Sequence, residues 1–265
     1  MDIALQYDFV SVPRFGYGKP GNPYMREILE SRRDVYAQHL ARFHTFVPAL
    51  QDIRLEANEP LRPHWLNGYF PGLDALALHN FITLCRPALM IEVGSGNSTK
   101  FAVNAIRKSN LSTKLISIDP SPRAEINELC SEVLRIRLEE VDLSILDRLQ
   151  ANDIFFFDGS HYSFMGSDVT VLFLEIIPRL KPGVLIHIHD IFLPNDYPPT
   201  WIDRYYSEQY LLATLLLGGA KDLSIELPNG FISDDTPLNS LLKSTYSGLP
   251  EGVEPYGCSF WMRKL

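Results

Sequence analysis

The chain has little of what would place it on nucleic acid, in a membrane or outside a cell. Its 265 residues hold 24 Lys and Arg against 32 Asp and Glu, a formal net charge of −8, and no block of basic residues offsets the deficit. A partner held by neutralising its phosphates is therefore disfavoured, and so is a basic membrane-surface helix. No apolar run is long enough to cross a bilayer; the greasiest helical stretch, Tyr210–Leu217, falls far short. Cysteine is scarce. Cys85, Cys130 and Cys258 are odd in number and widely spaced, so neither a disulfide framework nor a C-x-x-C metal pattern is present. Reduced, buried thiols in a cytosol are the expectation. Met1-Asp2-Ile3-Ala4 carries neither a basic n-region nor a long apolar core, so no secretory signal is expected. The sequons Asn97-Ser98-Thr99 and Asn110-Leu111-Ser112 then read as chance matches.

What is there is an ordinary globular balance, 46% hydrophobic and 21% charged, enough for one sizeable α/β domain with an appendage. Residues 1–24 are rich in proline, glycine and aromatics and read as a loop that orders on contact. Apolar spacing predicts a helix from Pro23 to Phe46, an irregular stretch over 47–68, and a second helix from Gly72 to Cys85. From Pro87 strands alternate with helices, the pattern of a parallel sheet with crossovers. Strands are expected at Leu89–Val93, Leu115–Asp119, Val133–Leu138, Ile154–Asp158 and Val184–His189. Helices are expected at 98–108, 123–130, 143–149, 166–180 and 207–217. Ser224–Leu227 and Cys258–Arg263 would close a Rossmann-like, seven-stranded mixed sheet as a final hairpin, with helices on both faces. Residues 1–70 form an N-terminal extension and 71–265 the main domain.

The richest stretch is Leu89-Met90-Ile91-Glu92-Val93-Gly94-Ser95-Gly96-Asn97-Ser98-Thr99. An apolar strand ends in a Gly-x-Gly turn and a polar residue able to open a helix. Gly94 and Gly96 let the backbone turn tightly and approach a ligand where a Cβ would collide. The dinucleotide fingerprint G-x-G-x-x-G needs a third glycine, and Thr99 stands in its place. Glu92, two positions before Gly94, suits a cationic or polar group such as the amino-acid end of S-adenosylmethionine. Asp119 ends the next apolar strand 23 residues after Gly96, about where a ribose-binding carboxylate belongs, roughly 20 residues on.

Together with Ile118-Asp119-Pro120, Phe157-Asp158-Gly159-Ser160-His161, Leu180-Lys181-Pro182-Gly183 and His187-Ile188-His189-Asp190-Ile191-Phe192, these residues resemble class I S-adenosylmethionine-dependent methyltransferases, and more narrowly methyltransferase family 24. The resemblance covers roughly residues 70–265. It implies that Glu92, Gly94, Ser95 and Gly96 line the methionine and ribose side of the cofactor. Asn97 and Ser98 would meet its carboxylate at a helix N-terminus, where the positive helix end favours an anion. Asp119 would bind the ribose hydroxyls, residues near Glu140–Asp142 would border the adenine, and Asp158 would lie beside the transferring methyl group. The implied acceptors are small molecules, including sugars and secondary metabolites.

Methyl transfer is an in-line displacement on an activated sulfonium carbon, so the protein must align a nucleophile and remove its proton. Two clusters fall at strand carboxyl ends, where open α/β sheets bind ligands: Asp158 with His161, and His187, His189 and Asp190. Asp158, His161, His189 and Asp190 are the candidate catalytic residues; His187, deeper in its strand, reads as a core residue. Related O-methyltransferases hold magnesium with an acid after strand four and an Asp-Asn pair after strand five. Here Asp158 and Asp190 match the acids, but Ile191 replaces the Asn. A divalent metal on Asp158, His161 and Asp190 is the alternative, and imidazole among the ligands suits manganese, iron or zinc better than magnesium.

The stretch Phe192–Trp201 would sit over the acceptor side, with Tyr197, Trp201 and Tyr205 able to stack on an aromatic or sugar acceptor. The N-terminal segment, with Tyr17, Tyr24, His64 and Trp65, reads as a lid or as the arm of a homodimer, and Arg14 and Lys19 could meet an anionic acceptor. The expected function is methyl transfer to a hydroxyl, less readily an amine, of a small molecule in the cytoplasm. The rivals are a nucleotide-dependent oxidoreductase, a catalytically silent cofactor-binding protein, and a metal-dependent hydroxylase-like relative on the same fold.

Overall fold

Five consecutive buried residues make Leu89–Val93 a central strand, β1. The computed structural model describes residues 10–265; the signal-peptide reading of Met1–Ala4 and the first residues of the proline-rich segment lie outside it. Along the chain follow β2 (Lys114–Ile118), β3 (Glu132–Leu134), β4 (Ile154–Phe157), β5 (Leu185–Ile188), β6 (Leu223–Pro228) and β7 (Phe260–Lys264). Among the described residues they form one seven-stranded sheet in the order β3-β2-β1-β4-β5-β7-β6. β1 to β5 run parallel, and β7 lies antiparallel between β5 and β6. The expected seven-stranded mixed sheet is therefore present. Its last two strands, however, are joined by the long connection 229–259, which carries three short helices, rather than by a hairpin turn.

The strand order reverses beside β1: the chain steps from β1 outward to β2 and β3, then returns to place β4 on the other flank. Such a switch point leaves a crevice at the carboxyl ends of the two central strands. The register sharpens this. Val93 pairs with Ile118 and with Phe157, and Phe157 pairs with Ile188. The next residues, Gly94, Asp119, Asp158 and His189, therefore leave the sheet side by side.

The N-terminal helices are α1 (Pro23–Glu30), α2 (Arg33–Leu40) and α3 (Val47–Leu50), followed by α4 (Gly72–Cys85), α5 (Asn97–Lys108), α6 (Asp168–Val171), α7 (Ile177–Arg179) and α8 (Glu208–Leu217). The single helix expected over 23–46 is broken. Ser31 turns its hydroxyl onto the Ile28 carbonyl, and Arg32 donates to the Ile225 carbonyl of β6, which pulls the backbone out of helical register. Met25, Leu29, Tyr36, Leu40 and Phe43 are buried in the same core as β1 and β4.

The helix expected over 123–130 reduces to a 3-10 turn at Asn127–Leu129, and that over 143–149 to a 3-10 turn at Leu143–Arg148. Asp119 caps the Ser121 amide, and Arg135 holds the Asn127 side chain. Both contacts favour a loop over a helix. Between α6 and α7 a π turn spans Leu172–Ile176. Pro178 lacks the N–H an α-helix would need there, and the wider turn absorbs the misfit. Among the described residues no helix is long and apolar enough to cross a membrane.

Candidate active site

The turn after β1 is held against the end of β4. Gly94 has φ +76°, and a Cβ there would lie 1.7 Å from the Asp158 carbonyl oxygen, so only glycine fits. At Gly96 a Cβ would meet no atom within 4 Å, because the residue faces a cavity. That cavity measures about 330 Å³, within the range of small-ligand sites, roughly 300–1,000 Å³. Gly94, Ser95, Gly96, Asn97, Ser98, Asp119 and Asp158 all line it. Asp119 accepts from the Ser95 amide at 2.8 Å and the Ser121 amide at 2.7 Å, so it braces the turn it faces. Tyr69 and Phe70, assigned from the sequence to the extension, also form part of the wall, with Arg123 stacked 5.2 Å over the Tyr69 ring. Arg137, Leu138 and Glu139 border the far end, slightly before the Glu140–Asp142 stretch expected there.

Glu92 is placed differently from the sequence expectation. It is fully buried beneath the turn and does not open onto the cavity. Its carboxylate accepts the Ser98 hydroxyl at 2.6 Å and the Thr99 hydroxyl at 2.5 Å, while Thr99 accepts the Gly96 amide at 3.0 Å. The acid and the residue in the third-glycine position thus lock the start of α5 to β1. Burial pushes the Glu92 carboxyl up to about 7, against the pull of the two hydroxyls.

Beyond Asp158 the four candidate catalytic residues close a ring. His161 Nε2 stands 3.5 Å from Asp158 Oδ1 and 3.5 Å from Asp190 Oδ2. His189 Nδ1 stands 3.7 Å from Asp158 Oδ1 and 3.4 Å from Asp190 Oδ1. Of the metal set expected as Asp158, His161 and Asp190, the two acids group closely with His189 rather than His161: His161 faces Asp190 Oδ2, whereas the ligand atoms of Asp158, His189 and Asp190 lie within 4.8 Å of one another. Two ring members hold backbones unusual for a side-chain-bearing residue, His161 at φ +65° and Asp190 at φ +56°. Such geometry persists only where the surroundings enforce it, and it concentrates at functional sites. Glu208 and Asp74, which no local sequence pattern marks, stand behind the two histidines. Cys258 directs its thiol at Asp190 across 3.2 Å.

Residues 91–191 match the family model described as a methyltransferase domain. Over these residues the chain is similar to that methyltransferase family. An uncharacterized protein of Archaeoglobus fulgidus is 34% identical over 94 residues, 33% of this chain and 42% of that protein. The chain thus spans less than half the length of this curated relative. Among solved structures, the plantazolicin methyltransferase BpumL in complex with SAH aligns with 90% of this chain and 99% of its own, at 13% identity and a TM-score of 0.47.

The protein surrounds this ring with compensating charge. Burial alone would raise the Asp158 carboxyl, but the imidazoles of His189 and His161 hold it down at about 2. Burial would lower His189, yet Asp190, Asp158 and Asp74 bring it up to about 10. His161 is likewise lifted well above its usual value by Asp158, Glu208 and Asp190, against its burial. Both imidazoles therefore carry their protons at neutral pH, and neither is a ready base in that state.

His187 behaves as a core residue. Burial and the neighbouring His189 cation keep it neutral, it stacks 3.6 Å from the Phe156 ring, and its Nε2 meets the Ser259 hydroxyl at 2.8 Å. Tyr197 is buried, Trp201 half-buried and Tyr205 exposed. Together with Phe15 they line a separate cavity of about 430 Å³, which Tyr206 links to the ring from 4.5 Å off the His161 imidazole. The N-terminal segment closes this side through Asp196, which accepts from the Arg14 and Phe15 amides.

Proposed function

We propose that the protein transfers the methyl group of S-adenosylmethionine to a hydroxyl, less readily an amine, of a small molecule such as a sugar or secondary metabolite. The observation that carries this is the crevice at the strand-order reversal, which has Gly96 and Asp119 on one flank and Asp158 on the other. The adenosyl group fits that crevice because Gly96 leaves open the space a side chain would fill and Asp119 directs a carboxylate into it. The first-turn amides of α5, which have no acceptor within the helix, suit the methionine carboxylate. Asp158 is the one residue of the ring that also lines the cavity. It is therefore placed to accept a hydrogen bond from the acceptor hydroxyl and to orient its oxygen toward the sulfonium carbon.

The proposal includes a divalent cation held by Asp158, His189 and Asp190. Two carboxylates and one imidazole suit a transition-metal dication, and His189 Nδ1 stands 3.7 Å from Asp158 Oδ1 and 3.4 Å from Asp190 Oδ1. When bound, a cation would acidify a hydroxyl beside it. His189 would then serve as a neutral donor, giving up the proton that the surrounding acids otherwise favour. The three free cysteines agree with a reducing compartment such as a cytoplasm.

Titration calorimetry tests the cofactor half. S-adenosylhomocysteine is expected to bind with micromolar or better affinity and NAD to give no heat. Binding of NAD without S-adenosylhomocysteine would transfer the reading to the oxidoreductase rival. Elemental analysis of protein purified without chelator tests the cation half: less than a tenth of an equivalent of any transition metal, with none taken up on reconstitution, would remove it.

A further inference from the structure

The acid–imidazole ring borders two cavities that share no lining residue. Asp158 opens onto the cofactor crevice. Elsewhere on the ring, Tyr206 packs 4.5 Å from the His161 imidazole, and the Cys258 thiol reaches Asp190 across 3.2 Å. Both residues belong to a small apolar cluster separate from the main core, built of Phe192, Tyr197 and Cys258 with Trp201 and Tyr206 packed against them. Three of its rings, with the strap of residues 11–15, wall the cavity of about 430 Å³.

We propose that this aromatic cavity is the acceptor subsite and that it takes a neutral, planar phenol in preference to a sugar or an amine, the phenol lying against Tyr206 with its hydroxyl turned toward Asp158. This rests on the methyl transfer proposed above and adds the chemical class of the acceptor.

Three features support the assignment. First, the wall suits a flat apolar body. Six of its thirteen residues are aromatic, and Ser11, Arg14 and Asp196 bring its only other polar side chains. Tyr197 and Trp201 lie nearly parallel, 22° apart, and Tyr206 stands across them at 76° and 81°. The rings thus run in two directions and offer a planar guest both stacked and edge-to-face contacts. A sugar would need a hydrogen-bond partner for each hydroxyl it buries, and this wall has few.

Second, the charges are already engaged. Asp196 Oδ2 accepts the Arg14 and Phe15 amides at 2.6 and 2.9 Å, and its Oδ1 accepts the Tyr210 hydroxyl at 3.0 Å. The Arg204 guanidinium stands 4.0 Å over the Trp201 ring and 5.6 Å from that of Tyr206. An ammonium guest would seek an unoccupied carboxylate and uncovered aromatic faces. Here the acid is saturated and a cation already covers two of the rings.

Third, the cavity is held open by its own hydrogen bonds. The Asp196 amide donates to the Phe15 carbonyl at 3.2 Å, and the Asn22 amide to the Pro194 carbonyl at 2.8 Å. The strap is thereby tied to the loop after β5, and a pre-formed wall reduces the ordering cost of binding. Tyr205 and Tyr210 remain 38% and 42% exposed, aromatic surface that a guest would take out of water.

On transfer, the phenol oxygen bonds to the methyl carbon as the sulfur–carbon bond breaks and its electron pair goes to sulfur. S-adenosylhomocysteine remains, and the phenolic proton passes by Asp158 to solvent. A phenol, with a pKa of about 10, releases that proton far more readily than a sugar hydroxyl.

The test saturates the full chain with S-adenosylhomocysteine and titrates it with 7-hydroxycoumarin, a small planar phenol followed by its fluorescence anisotropy. Methyl glucoside and benzylamine serve as competitors, and the titration is repeated without S-adenosylhomocysteine. One 7-hydroxycoumarin is expected to bind with a dissociation constant below about 1 mM, undisplaced by a tenfold excess of either competitor. Trp201→Ala and Tyr206→Ala are each expected to weaken it about 3–10-fold while S-adenosylhomocysteine affinity stays the same. Tyr206→Phe, which keeps the ring, is expected to bind like the wild type. Should the alanine variants fail to fold, Tyr205→Ala, at the exposed edge of the cavity, decides, with a loss of about threefold expected. The proposal is overturned if the wild type gives no saturable binding, if either competitor displaces the phenol at that excess, or if the folded alanine variants bind it as tightly as the wild type. Binding of S-adenosylhomocysteine without 7-hydroxycoumarin overturns this proposal alone. Binding of 7-hydroxycoumarin without S-adenosylhomocysteine would instead sink the methyltransferase reading and leave the aromatic site standing.

Discussion

Replacing Gly94 by alanine adds one methyl group at the place where the two central strands release the chain. That methyl carbon would sit 1.7 Å from the Asp158 carbonyl oxygen, and even a contact of 3.0 Å demands a retreat of about 1.3 Å (3.0 − 1.7) by main chain. Two costs add. The left-handed conformation, φ +76° here, costs a non-glycine residue about 1–2 kcal/mol. Forcing packed atoms apart costs about 1–3 kcal/mol more. Together Gly94→Ala should lose about 2–5 kcal/mol; a loss of about 3 kcal/mol lowers the melting temperature by roughly 6–12 °C in a domain of this size. Because the displaced residue is Asp158, cofactor affinity should fall as well.

Gly96→Ala is the matched control. Its methyl meets no atom within 4 Å and points into the cavity. It is expected to melt within about 4 °C of the wild type, since a Gly→Ala change without strain alters stability by only about 0.4–1 kcal/mol. It should nonetheless bind S-adenosylhomocysteine at least tenfold more weakly. Differential scanning calorimetry and ligand titration on the pair measure both quantities. If Gly94→Ala melts like the wild type, the turn and the end of β4 are not in contact and the reasoning fails. If Gly96→Ala binds normally, the ligand does not lie over that glycine.

Other outcomes follow from the same geometry. Asp119→Asn keeps an acceptor for one of its two amides but removes the charge, and a lost charged hydrogen bond of about 1.5–3 kcal/mol predicts a rise of roughly 10–100-fold in the S-adenosylhomocysteine dissociation constant; an unchanged constant removes Asp119 from the ribose. Glu92, normally near 4.5 and about 7 when folded, contributes stability that is whole below its unfolded value and fades as pH rises through 7. Wild type should therefore lose up to about 3 kcal/mol more than Glu92→Gln in urea melts between pH 4 and pH 8; parallel pH profiles would count against a buried, protonatable Glu92. His187→Ala should cost about 2–4 kcal/mol of stability through its lost contacts with Phe156 and Ser259, yet leave ligand affinity per folded molecule intact. Weaker binding at full stability would move His187 into the site.

Local pattern carried a large share of this protein. Five buried residues, two glycines and an acid at successive strand ends made the parallel sheet and its crevice readable, because a strand–turn–helix is a short-range object whose signals lie within a dozen residues. The same holds for Asp158, His161, His189 and Asp190, which sit at or just beyond strand ends. Irregular segments were less legible. Residues 123–130 carry a helical pattern, but Arg135, from outside the segment and itself bonded to the Asp119 carbonyl, binds the Asn127 side chain and holds it open.

By itself, then, the sequence determined the strand order's raw material, the glycine turn that lines the crevice and the residue types available for chemistry. Only the tertiary structure decided which of them meet. Glu92 points at α5 instead of the cavity because two hydroxyls one turn into that helix capture it. Glu208 reaches His161 across 47 residues and Asp74 reaches His189 across 115. Contacts at such separations arise when the sheet stacks distant segments at one edge. The energy that fixes them, chiefly the cost of leaving a buried carboxylate alone, exists only after the chain has closed around it.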